Sequence, residues 1–133
     1  MNRARSLTKL CRADCGALTL SYVAVLPFVL LVIMVAIQTS LWFLARDAAL
    51  AAARQGADAG RTLDASRSAG PAAALAFARQ AGQGYLENPV ASAAGSTSST
   101  VSITVSGRVP SFVPGLVVQV TETVQVPAEE FRP

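Results

Sequence analysis

The sequence predicts an α+β protein: a long N-terminal transmembrane α-helix extending outward, a second short helix, and a small antiparallel β-sheet of two or three strands. Three observations carry this prediction. No charged residue occurs between Gly16 and Ala45, and residues 18–44 form one apolar run. From Ala45 to Gly60 alanine takes over without a helix breaker. Beyond Val101 the apolar residues alternate with polar ones, which is the period of a half-buried strand.

The apolar run has the dimensions of a membrane span. Tyr22 and Trp42 stand twenty residues apart, roughly 30 Å at 1.5 Å per residue, the thickness of a bilayer's hydrocarbon core. Their amphipathic rings suit the two headgroup interfaces, so both are candidate anchors. The twelve Leu, Ile, Val and Phe residues between them favour insertion by on the order of 5 kcal/mol. Pro27 and Gln38 offset part of that. A buried core helix would be shorter, and a cleaved secretory signal has an apolar region of only about 7–15 residues.

Charge then sets an expected orientation. Arg3, Arg5, Lys9 and Arg12 against Asp14 place the whole net charge of +3 ahead of the span, and the seven later arginines are balanced by seven carboxylates. By the positive-inside rule the N-terminus is cytoplasmic and the C-terminal domain extracytoplasmic, the chain being a single-pass cell-membrane protein. Four segments follow: a basic cytoplasmic segment (1–16), the transmembrane helix (17–45), an extracytoplasmic helical region (46–85) and a small β region packing on the helices (86–133). The basic residues are local to the leader, so a nucleic-acid partner is not expected. Cys11 and Cys15 lie in that leader, four residues apart with no histidine in the chain, and read as incidental.

Outside the span, the helix is expected to continue to Gly60. Ala48, Ala52, Gly56 and Gly60 form one row at four-residue spacing, and Ala45, Ala49, Ala53 and Ala57 form the next. Rows of small residues let two helices approach closely, here a helix of another subunit. Asp58 can pair with Arg54 or Arg61. A polar loop leads to Pro71, which suits the first turn of a second helix ending near Gln80, with Leu75, Ala78 and Gly82 on its better face. Asn88-Pro89 marks a turn, and a short strand follows at residues 90–94. Val101, Ile103 and Val105 share one face of the next strand. Leu116, Val118, Val120, Val124 and Val126 share a face of the last, interrupted by Glu122. Two strands alone are marginal in water, so residues 45–80 must lie across them.

Catalytic chemistry is not expected. Histidine is absent, both cysteines lie in the leader, and the serines and threonines have no base to activate them. Glu129-Glu130 reads as a solvated tail. The sequence suggests no catalytic residue, no metal ligand and no cofactor.

The order of segments has a family likeness. It runs from Arg12-Ala13-Asp14-Cys15-Gly16 through Leu26-Pro27-Phe28 to Ala45-Arg46-Asp47-Ala48-Ala49 and Ala52-Ala53-Arg54. This resembles the TadE-like family of the tight-adherence (Tad, or Flp) type IV pilus systems, over about residues 12–60. The alanine-heavy composition is similar to that of actinobacterial members. The resemblance implies a minor pilin or pseudopilin, a non-enzymatic component of pilus assembly or a related secretion apparatus. Its partners would be the bilayer and other pilus or secretion-apparatus proteins, with homo- or hetero-oligomers formed through the membrane helix. It also implies a prepilin-peptidase cut after Gly16, leaving Ala17 first. The fifth residue of such a mature chain is typically Glu; here it is Ser21, which favours a chain left uncleaved. The alternative is a single-pass anchored extracytoplasmic binding module unrelated to pili, whose span is only a tether.

Overall fold

The computed structural model describes residues 4–62 and 68–128, with side chains from Tyr22 onward. Five elements follow one another: α1 (Ala4–Gly60), α2 (Ala69–Ala81), β1 (Glu87–Ser92), β2 (Thr100–Val109) and β3 (Val118–Pro127). The strands form one antiparallel sheet in the order β1-β2-β3. The architecture is the α+β arrangement that the sequence predicts. Segment 63–67 of the loop, the Glu129-Glu130 pair, and the side chains of Cys11, Cys15, Gly16, Ala17 and Ser21 lie outside the described residues.

Two compact units divide the chain, Met1–Ile37 and Gln38–Pro133, and α1 contributes to both. In the first unit every residue from position 22 to 37 is exposed, including Val23, Leu26, Phe28, Leu30 and Ile33. An apolar surface on all sides of a helix belongs in lipid rather than water. Pro27 sits within the helix without ending it, as is tolerated in membrane helices.

The second unit is built on alanine. From Ala45 to Ala57 the helix turns a face of small residues inward, with Ala45, Ala49, Ala52, Ala53 and Ala57 fully buried. Alanine forms helix readily and leaves the backbone accessible to close neighbours. Against this face lie α2, through Gly70, Ala74 and Ala78, and the inner face of the sheet, through Ile103, Val105, Val109 and Val120. The inner face of α2 therefore keeps Ala78 and Gly82 of the expected one and adds Gly70 and Ala74 in place of Leu75. Small residues occupy the crossing, and Leu75 and Phe77 are displaced to half-buried flanks.

Strand positions also shift from expectation. The first strand starts earlier than predicted, at Glu87, with Asn88 at a positive φ of 48° and an irregular register before Val90. Such a bulge and Pro89 together suit an edge strand. At the other end Leu116 falls in the β2–β3 loop, where it is exposed, and not on the sheet. The loop turns at Pro114-Gly115: the Leu116 amide donates to the Val113 carbonyl at 3.2 Å, and Gly115 has φ 83°. Pro then Gly at the two central positions is type II turn chemistry.

Candidate membrane and helix-packing surfaces

The small-residue rows of α1 are used within the chain. A Cβ at Gly56 would stand 2.6 Å from the Ala74 Cβ and 2.7 Å from the Gly70 carbonyl oxygen, and one at Gly70 would stand 3.0 Å from the Gly56 carbonyl oxygen. The α1 and α2 backbones are therefore in near contact: a side chain at Gly56 has no room, and one at Gly70 would be tight. Ala48 and Ala52 are buried in the same seam, while Gly60 is half-buried beside Val101. Gly56 and Gly60 thus meet α2 and β2 of their own chain.

Leu86 closes the other end of α2. A Cβ on Gly107 of β2 would come within 2.5 Å of Leu86 Cδ1, and one on Gly82 within 2.8 Å of Leu86 Cβ. Two glycines thus make the seat for one leucine. Tyr85, beside it, donates its hydroxyl to the Ala81 carbonyl.

At residues 38–46 the helix carries a polar and aromatic collar. Gln38 Nε2 donates to the Pro110 carbonyl at 3.1 Å, and Gln38 Oε1 accepts from the Phe112 amide at 3.3 Å. One side-chain amide thereby holds the β2–β3 loop at two points. Trp42 is half-buried against the core and meets the Phe43 ring edge-on at 5.1 Å. The Arg46 guanidinium lies 5.7 Å from the centre of the Trp42 ring, and its Nε donates to Glu122 Oε1 at 2.7 Å. Glu122, which interrupts an otherwise apolar strand face, is the partner of that arginine. Of the two pairs open to Asp58, the structure forms the one with Arg61, at 3.4 Å.

Other expected sites are quickly placed. Tyr22 is exposed in the first unit. Gly16, Ala17 and Ser21 fall on the helical backbone of α1. Among the described residues, none with a titratable side chain lines the depression formed by Gly60, Gly70, Ala94, Ser96, Thr97 and Val101. Among the described residues no group of three His, Cys, Asp or Glu is placed to hold a metal. Reading the sequence alone missed the roles of Gln38, Arg46 and Leu86. The signal available for Gln38 was an uncompensated amide inside an apolar run.

Residues 16–58 match a family model described as TadE-like protein. The matched stretch runs from Gly16 to just past the alanine face of α1, leaving α2 and the sheet outside it. No curated protein and no solved structure matches the chain.

Proposed function

We propose that this chain is a minor pilin or pseudopilin of a tight-adherence pilus apparatus, a non-enzymatic component of pilus assembly or of a related secretion machine. The observation that carries this reading is the TadE-like match over residues 16–58, because it covers the candidate span and the alanine face of α1 in one piece. The candidate membrane helix, Tyr22–Gly60, is apolar on all sides at its N-terminal end. The N-terminus lies in the cytoplasm, as the charge ahead of the span favours, and α2 and the sheet lie on the other side of the membrane.

Contacts with other subunits then fall on the exposed part of the helix. Ala48, Ala52 and Gly56 are buried within the chain and Gly60 is half-buried, so residues 22–37, exposed throughout, offer the larger surface for packing with pilus partners. Ser21 in place of an acidic residue favours a chain that stays uncleaved or is used in small numbers. A deletion strain of the native cell tests the proposal. Its surface pili should be lost or sharply reduced, and a photocrosslinker at Leu30 should capture pilus subunits. Normal piliation in that strain would overturn the reading.

A further inference from the structure

The β2–β3 loop, residues 110–117, is the most apolar exposed surface of the second unit. Phe112 is 57% exposed, Val113 44%, Leu116 48% and Val117 65%. Four large apolar side chains in one eight-residue loop are not an accident of surface composition, since such patches mark protein or membrane contacts. The position of the loop identifies which of the two applies. Gln38 bonds it at both Pro110 and Phe112. Gln38 lies six residues before Leu44, the last residue of the apolar run, which is about 9 Å along the helix axis. If the run reaches lipid as far as Leu44, the loop tied to Gln38 stands at the same depth.

Part of the loop's backbone is prepared for such a setting. A backbone entering lipid must satisfy its hydrogen bonds internally. Pro110 and Pro114 have no amide hydrogen to satisfy. The Phe112 amide goes to Gln38, the Val113 amide to Ser111 Oγ at 3.2 Å, and the Leu116 amide to the Val113 carbonyl. Phe43 and Leu44, on the helix at this end of the unit, are exposed as well. No charged side chain occurs between Arg108 and Glu122, so nothing in the loop opposes insertion.

We propose that the β2–β3 loop inserts Phe112, Val113, Leu116 and Val117 into the headgroup–acyl boundary of the membrane leaflet that α1 leaves, making a second, shallow membrane contact. The proposal rests on the span reading above. It makes Gln38 a positioning residue, one that holds the loop at depth instead of contacting lipid-borne chemistry itself. The expected depth is that of an interfacial segment, about 5–10 Å into the boundary.

Site-directed spin labelling of the full chain tests it, in phosphatidylcholine–phosphatidylglycerol vesicles, after Cys11→Ser and Cys15→Ser. Nitroxides placed by Phe28→Cys, Phe112→Cys, Val117→Cys and Thr123→Cys report access to oxygen, which concentrates in lipid, and to a water-soluble nickel chelate. The label at 28 should read deep lipid, those at 112 and 117 shallow lipid, and that at 123 water. Gln38→Leu should shift the labels at 112 and 117 several-fold toward the chelate without changing 28. Water-like access at 112 and 117, with 28 in lipid, overturns the loop proposal and leaves the span intact. Water-like access at 28 overturns both. Protection of 112 and 117 from both reagents means that a protein covers the loop, and also overturns the lipid contact.

Discussion

Arg46 Nε donates to Glu122 Oε1 at 2.7 Å, joining the first helix to the last strand across 76 positions of chain. The pair gives Glu122 a reason to sit on the inner face of β3 beside Val120 and Val124. An inward-pointing charge on an edge strand also discourages further strand addition. Arg46 keeps about half of its side chain in solvent, and Glu122 a fifth.

From that exposure the pair should contribute modestly. A double-mutant cycle of Arg46→Ala and Glu122→Ala, followed by urea unfolding of the full chain in detergent, should give a coupling of about 1 kcal/mol or less. The Trp42 environment should change with Arg46→Ala, because the guanidinium over its ring is removed. A coupling of several kcal/mol would mean that the pair is far less hydrated than its exposure indicates.

The seam between α1 and α2 should be much less tolerant. Gly56→Leu forces side-chain atoms into space held by Ala74 and Gly70, Ala52→Leu overfills a fully buried position, and overpacking typically costs about 1–3 kcal/mol, occasionally more. Both variants should insert into membranes normally while α2 and the sheet lose protection in hydrogen exchange. Wild-type exchange rates in α2 would contradict the close approach.

Leu86 and the two glycines beneath it should behave as one unit. Leu86→Ala should cost about 2–5 kcal/mol, and Gly107→Ala should be destabilising alone because its new methyl meets Leu86. Combined, the two should cost less than their sum, since the methyl then enters vacated space. Strict additivity in thermal unfolding would show that they do not share a site.

Orientation is tested by a reporter active only outside the cytoplasm, fused after Pro133. It should be active, and replacing Arg3, Arg5, Lys9 and Arg12 together should lower the signal. A reporter active in the cytoplasm instead would reverse the topology.

Intact mass of protein from the native cell should show Met1, or its neighbour after methionine removal, with both cysteines present. Cleavage after Gly16 would create an α-amino group, with a pKa near 7.7–8.0 when exposed. Within a helix bundle Ser21 offers it only a neutral acceptor. A mass beginning at Ala17 in most molecules would show that the hydroxyl suffices.

Periodicity made much of this fold legible. The alternation of Val101, Ile103 and Val105 and of Val118, Val120, Val124 and Val126 marked both long strands and their inner faces. The alanines at four-residue spacing marked a close helix contact. What they could not reveal was which helix makes it, because small residues permit approach by any partner. The α2 face was misplaced for a related reason: Leu75 and Phe77 carry most of the hydrophobicity, but at this crossing space matters more than hydrophobicity, and Gly70 and Ala74 fit it. The links from Gln38 to Phe112 and from Arg46 to Glu122 span more than seventy positions, and nothing local announces them.

Eight of the thirteen buried apolar residues among those described are alanine, and the largest fully buried side chains are Ile103 and Val105. A methyl group has no rotamers to choose among, so the alanine seam has only one way of fitting together. It also removes little apolar surface from water, with each buried carbon worth on the order of 0.8 kcal/mol. The second unit is thereby stiff without being strongly held. Pulled along its helix, it should transmit force without stretching up to a modest load, and then release α2 and the sheet together.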